Sequence, residues 1–396
     1  MGSFSGSLNA NEIYAALYNM IISQEVYADN IAGTYGSLME KSRVDGSLYG
    51  DQKLFYDTDV LKTRAWLNDS EAANLLSINR APAPSCQAIV LDQFRQIDIT
   101  VDDYLTKRAW MDEGAFANFN SVLLSWLENT KRVYDSCLFN SYVGTAVSAA
   151  NKATITVSPS LGTDTTSADK EGAARIEAGA IAEALEKIFV DLKDVSRDYN
   201  DYKHLKSYDL NDIIVVWNSD VVAKIKKIDL PTMFHKDGLI EKFEEEILPA
   251  RYFGVILTAS NISSYSDSTP TTGKPIDSDD GSYVPGTNNA NGCVRAVVEK
   301  EVTVSGVDYH VFPGDEIPAG ATVKASGTFE LGEVYIVDKK IVCKVMHRRS
   351  VPFMSAFRVG TSFFNARSLT TNHYLTWGHN TLEYLKRYPF ITVKLS

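Results

Sequence analysis

DEGAFANFNSVLLSWLENTKRVYDSCLFNSYV, residues 112–143, is the stretch on which the fold turns. Phe116, Phe119, Leu123, Trp126, Leu127, Val133 or Tyr134, Cys137, Leu138 and Tyr142 recur at helical steps and define one apolar stripe. Asp112 and Glu113 supply an acidic start and Gly144 marks the stop. At 1.5 Å per residue the helix is a rod on the order of 45 Å long. An average globular helix has about 11–12 residues, so the length favours a spanning scaffold over an ordinary core helix.

Upstream, Cys86–Ile99 has strand character, and Phe94–Val101 alternates apolar and polar as a half-buried strand does. Residues 32–85 show no clear period and carry Gly33, Gly36, Gly46, Gly50 and Ala81-Pro82-Ala83-Pro84. A stretch this long and this apolar reads as an extended interaction arm. Residues 10–30 predict an amphipathic helix with Asn11 as N-cap.

Downstream, residues 147–170 read as a surface connection, and Glu171–Val195 as a second long helix. Its buried face is Ile176, Ala180, Ile181, Ala184, Leu185, Ile188, Leu192 and Val195. Ile213–Trp217 is a buried strand, Asn218-Ser219-Asp220 caps a helix over Val221–Ile228, another helix spans Gly238–Ile247, and Tyr252–Thr258 is a second buried strand. From Ser260 to Gly292, Ser, Asp, Thr, Gly, Pro and Asn dominate, which describes a surface excursion. Short alternating segments at Cys293–Val298, Val302–Val304, Tyr309–Phe312, Val323–Ala325 and Glu333–Val337 predict a small all-β insertion. Lys339–Ser396 is largely extended, with strands at Cys343–Met346, Phe353–Arg358, Tyr374–Trp377 and Tyr384–Leu395.

The chain has 396 residues, 44% apolar and 22% charged, an ordinary globular composition. Its formal charge of -11 argues against a nucleic-acid-binding surface as the main function. Cys86, Cys137, Cys293 and Cys343 lie far apart and read as isolated thiols in a reducing compartment. The start lacks a signal-peptide pattern, and no apolar run approaches the roughly 20 residues of a membrane span. Gly2 opens only a poor myristoylation match.

A search for chemistry finds no Walker motif, no Gly-x-Gly-x-x-Gly and no Gly-x-Ser-x-Gly elbow. Cys343/His347 and His373/His379 are the spaced pairs that could hold a metal. The first pair falls on a predicted strand, where a four-residue step covers ~13 Å. The second sits among Tyr374, Trp377 and Tyr384, where packing is the better reading. Glu241, Glu244, Glu245 and Glu246 read as a solvated helix face, and the triplets Asn68-Asp69-Ser70 and Asn261-Ile262-Ser263 as chance. No catalytic, cofactor-binding or metal residue is expected.

The order of parts resembles the major capsid protein of tailed bacteriophages, the Hong Kong 97 type. The resemblance is carried by Asp92-Gln93-Phe94-Arg95-Gln96-Ile97-Asp98-Ile99 entering the long helix and by Ile213-Ile214-Val215-Val216-Trp217-Asn218-Ser219-Asp220. The aromatic tail His373–Leu395 is similar to short-tailed phages. It implies an α+β fold: an N-terminal arm (1–40), an extended β-hairpin loop (41–111), a peripheral domain with spine helix and connection (112–169) and an axial α/β domain (170–259). A β-rich surface insertion (260–338) and a return to the axial and peripheral domains (339–396) complete it.

The implied function is self-assembly, as hexamers and pentamers, into an icosahedral head shell enclosing double-stranded DNA without sequence-specific binding. The implied partners are the chain itself, a portal and a scaffolding protein, with no membrane and no cofactor. The implied place is the virion, after assembly in the host cytoplasm. Some members of the family cross-link through a loop lysine and a neighbour's asparagine; Lys53 and Lys62, with Asn365, Asn372 and Asn380, are the residues at such places. No recognisable cross-linking signature surrounds them, so uncross-linked shells are expected. The alternatives are a bacterial nanocompartment shell, a phage tail or baseplate protein, and a carbohydrate-active enzyme needing paired carboxylates.

Overall fold

The computed structural model describes residues 37–45, 52–63, 65–66, 78, 80–102, 113–159, 167–225, 244–261, 294–318, 321–324 and 329–396. In chain order the elements are α1 (Ser37–Lys41), β1 (Arg43–Asp45), β2 (Gln52–Asp57), β3 (Ser85–Asp102), α2 (Glu113–Thr145), β4 (Thr154–Val157), α3 (Ser167–Lys193), β5 (Ile213–Asn218) and α4 (Ser219–Ile225). Then follow β6 (Glu244–Leu248), β7 (Gly254–Ile256), β8 (Val294–Ala296), β9 (Lys300–Val304), β10 (Val307–Val311), β11 (Thr322–Val323), β12 (Val334–Val337), β13 (Ile341–His347), β14 (Phe353–Asn365), β15 (Thr370–Asn380) and β16 (Phe390–Leu395). The chain divides into two units. The described residues of the first fall within Met1–Asp51, Val90–Ser136 and Phe353–Thr381, and those of the second within Gln52–Ile89, Cys137–Pro352 and Leu382–Ser396. The predicted helix at 10–30 and all but the first two residues of the excursion Ser260–Gly292 lie outside the described residues.

In the first unit, β14 and β15 form a long antiparallel hairpin, β15 pairs antiparallel with β3, and β1 runs parallel to the first residues of β14. Within this unit the strand order is β1-β14-β15-β3. Side chains alternate with period two. The odd-numbered residues of β15 face the helix: Trp377 lies edge-on to Tyr134 at 6.0 Å, the Lys131 ammonium sits 5.8 Å from the Trp377 ring, and His379 lies 5.7 Å from Tyr134. Even-numbered residues carry polar cross-strand contacts such as Gln96 to Thr376 at 3.1 Å.

In the second unit a five-stranded sheet has the order β4-β16-β13-β5-β6. Every residue of β5 and β13 is buried, and in β5 this matches the continuous apolar run Ile213–Trp217. Helix α3 lays Ile181, Leu185, Ile188, Phe189 and Leu192 on Trp217, Val345, Ile391 and Val393. Each such side chain contributes about 1.5–3 kcal/mol of burial. A separate core of Leu257, Val294, Val302, Val311, Ile317, Phe329 and Val334 holds the three-stranded sheets β7-β12-β8 and β10-β9-β11 together.

The structure corrects three local readings. Trp126 and Val195 were expected on buried stripes but are about half exposed, as is Ile176, whereas Phe139 and Phe189 are fully buried. The last two turns of α2 are enclosed nearly all round, so a single stripe does not describe them. Residues 244–247 belong to an edge strand, not a helix: β6 pairs parallel with β5, and that pairing overrides the weak strand preference of glutamate. Gly144 lies inside α2, which continues to Thr145.

One amine stands in the apolar core. Lys344, fully buried at the centre of β13, donates to the carbonyl of Ala146 and to Thr392 Oγ1, each at 2.8 Å. The partner carbonyl lies just beyond the end of α2, whose last turn holds no basic residue, so Lys344 caps that helix from another element. Burial lowers its pKa from the ordinary 10.5 to about 7. Between those two values the unfolded chain keeps a proton that the folded chain has lost, so this group makes stability rise with pH across that window. Urea unfolding from pH 8 to 10 should show the parent gaining about 1 kcal/mol per pH unit relative to Lys344→Met. Parallel pH profiles for the two would refute the assignment.

Candidate assembly surface

Strand β2 is inverted with respect to an ordinary half-buried strand. Its burial alternates so that Asp57 is buried while Leu54 and Tyr56 are about half exposed. The chain beyond it continues the pattern: Val60 and Leu61 are exposed, Trp66 is 91% exposed and Ile78 81%. Large apolar side chains are scattered singly over most surfaces, but several exposed ones along one segment make it a candidate for contact with a partner.

Polar groups fasten both ends of this segment within the second unit. At its start, the Asp57 carboxylate faces His204 Nδ1 at 2.6 Å, Lys206 Nζ at 2.8 Å and Arg387 Nε at 3.7 Å. Burial pushes the Asp57 carboxyl up, but hydrogen bonds from Lys206 and His204 and the charges of Lys206 and Arg387 outweigh it, so the group is held below the usual carboxylate range. Asp59 accepts from the Leu205 amide at 2.9 Å and from Arg197 at 2.6 Å, which hold its carboxyl well below that range. At the far end, Gln87 donates to the Tyr384 carbonyl and accepts from the Lys386 amide, both at 3.0 Å.

In the first unit the distal half of the β14–β15 hairpin is exposed on both faces from Arg358 to Leu369, including Val359, Phe363 and Phe364. A groove of about 610 Å³ runs between this hairpin and α2, lined by Leu127, Glu128, Arg358, Ser362, His373 and Leu375, with Arg358 ion-paired to Glu128.

Cys343 and His347 lie on β13. Burial pushes the Cys343 thiol up. His347 stacks on Tyr388 at 4.1 Å and accepts from the Arg349 amide, and burial lowers it to about 4. His379 is buried beside Tyr134 and Phe353, with Nδ1 3.0 Å from the Asn380 carbonyl, whereas His373 lines the groove. Glu244, Glu245 and Glu246 stand on β6; Glu241 lies outside the described residues. Among the described residues no group of three His, Cys, Asp or Glu side chains is placed to hold a metal.

Asn261 is a turn residue: it accepts from the Thr258 amide and donates to the Ile256 carbonyl. The triplet at 68–70 lies outside the described residues. Lys62 and Asn365 are exposed and Lys53 and Asn372 half-buried, while Asn380 is fully buried and bonded to the Met354 amide, which removes it as a cross-linking partner. Sequence reasoning missed the Asp57 cluster because its members come from three distant segments. Among the described residues no helix is long and apolar enough to cross a membrane.

Comparison with known proteins gives one family and one fold. A family model described as Phi29-like phage major capsid protein matches residues 5–392. The capsid structure of Staphylococcus phage Andhra aligns with a TM-score of 0.53 at 11% identity, over 89% of this chain and 82% of that one. A structure of the head fiber and inner core protein gp22 of native bacteriophage P68 aligns with a TM-score of 0.52 at 11% identity, over the same shares. At that identity the likeness is one of mixed α and β fold. No curated protein matches the chain.

Proposed function

The chain belongs to the Phi29-like phage major capsid protein family, and from that premise we propose that it builds an icosahedral head shell around a double-stranded DNA genome. Its general role follows from the family: it is a shell-forming structural protein of the virion that assembles with itself. The observation that carries the reading is a family match spanning nearly the whole chain. It displaces the tail, baseplate and nanocompartment alternatives.

The finer assignment is of the Hong Kong 97 type. Residues 1–40 are the arm and 41–111 the extended loop. Residues 112–169 hold the spine helix and connection, 170–259 the axial domain, 260–338 the β-rich surface insertion, and 339–396 the return. The length of α2, the inverted strand β2 and the separate core under β8–β12 support this division. In this reading subunits meet as hexamers and pentamers, a portal and a scaffolding protein join them, and assembly takes place in the host cytoplasm. The charge of -11 suits a wall that must not adhere to packed polyanion.

Electron microscopy of the purified protein at assembly concentrations, alone and with the neighbouring phage head proteins, tests it. Closed icosahedral shells are the expected result. Tubes, fibres or dispersed monomers under all of these conditions would defeat it.

A further inference from the structure

The inverted burial of β2 demands an explanation. A strand that turns Leu54 and Tyr56 outward and only half-buries Phe55 on the other side gains less from its own unit through apolar contact than an ordinary half-buried strand does. What its last residue buries instead is a charge: the Asp57 side chain is 2% exposed. A buried carboxylate is tolerable only when it is paired and hydrogen-bonded, and here the His204 ring, the Lys206 ammonium and the Arg387 guanidinium converge on it. Arg387 also donates through Nη1 to the Tyr56 carbonyl at 3.2 Å.

The receiving platform is itself braced. Ser196 and Lys206 exchange backbone hydrogen bonds of 2.9 and 3.0 Å. The fully buried Asn200 accepts from the His204 amide and donates to its carbonyl. Lys203 adopts a left-handed φ of 56°, which turns the chain tightly enough for Arg197 to reach both the Lys203 carbonyl and Asp59. The platform thus has its shape from local bonds, and the loop supplies the carboxylates that His204, Lys206 and Arg197 bind. Slipping β2 by one residue would replace Asp57 at the platform with an uncharged side chain and take from Lys206 and Arg387 the carboxylate they share.

We infer that Asp57, Asp59 and Gln87 form a two-ended collar that fixes how the extended loop leaves its own subunit before assembly. The loop is a pre-set arm, held with Leu54, Tyr56, Val60 and Leu61 turned outward, and it does not become ordered at its base on contact with a neighbour. The surface it meets is a second copy of this chain. This inference rests on the reading of residues 41–111 as an assembly element. A pre-set arm loses less conformational freedom on binding than a floating one, so the collar accelerates productive contact.

The experiment compares full-length parent, Asp57→Asn, Asp59→Asn and Gln87→Ala as free subunits by hydrogen exchange, and then by rate of shell formation. In Asp57→Asn the amides of 52–57 and 85–89 should exchange faster by about tenfold or more, those of β5 and β13 should stay protected, and shells should form more slowly. Should Asp57→Asn unfold the whole subunit, the exposed-end variants Asp59→Asn and Gln87→Ala decide, and faster exchange confined to 52–57 and 85–89 supports the collar. Unchanged exchange there in every folded variant overturns it. A deletion of 61–80 that keeps the collar residues separates this from the broader reading: normal shells from that deletion would sink the assembly role of the loop, while the exchange data would still judge the collar.

Discussion

Deleting residues 61–80 and joining the ends with a short Gly-Ser linker should give a soluble, folded subunit that makes no shells. The described side chains that leave include Leu61, Trp66 and Ile78, which are exposed and contribute little to the subunit's own stability. Shortening a loop changes its closure entropy by only about 0.6 kcal/mol per halving. The cost falls on assembly. A Trp or Ile buried against a neighbour contributes roughly 1.5–3 kcal/mol, and each 1.4 kcal/mol lost weakens a contact about tenfold. The loss recurs at every copy around a shell. The cut begins at 61 so that β2 and Asp57, which the subunit uses, are kept. Circular dichroism and unfolding should match the parent while microscopy shows no particles. Normal particles from the deletion would remove the loop from the assembly mechanism.

Substituting Gly144 is expected to be the most damaging single change in the second unit. A Cβ built there would lie 2.0 Å from the Tyr252 carbonyl oxygen and 2.6 Å from its carbon. Both are backbone atoms of a buried segment in which Tyr252 and Phe253 are 3% and 0% exposed, so neither can swing aside. Helix α2 would have to move off that segment. Gly144→Val should therefore cost about 3 kcal/mol or more, a large share of the roughly 5–15 kcal/mol a folded chain has in total. Gly172 is the internal control: it stands in α3 with nothing within 4 Å of a built Cβ, so Gly172→Ala should be neutral or stabilise by about 0.5–1 kcal/mol. Thermal or urea unfolding of the two variants checks the contrast. A Gly144→Val subunit as stable as the parent would show that α2 and residues 250–253 do not approach as described.

The two long helices and the buried strands β5 and β13 were legible because their periodicity is a local property of the chain. Gly144 was legible as special, but for a different reason: it reads as a stop signal, and its place is set by the backbone of Tyr252, more than a hundred residues away. Glu244–Glu246 read as a helix face because three consecutive glutamates indicate solvent without indicating period, and only pairing with Ile214, Val215 and Val216 makes them a strand. Phe139 fell off the expected stripe because the helix end is enclosed on several sides at once. Of the candidate surface, the loop's lack of self-contained core was visible in the sequence. The Asp57 partners were not, since His204, Lys206 and Arg387 carry no signal of convergence until the chain is folded.

The glutamates of β6 have a bearing on what else this chain could build. A subunit made for a shell must survive at high concentration beforehand, and an open sheet edge offers a competing polymer, the endless fibre, that never closes. Glu244 and Glu245 are exposed on the edge strand, and Glu246 is half-buried beside them. A second copy laid edge to edge in the antiparallel sense would bring like charges together along the seam. Along β6, then, the acidic side chains act against growth by strand addition.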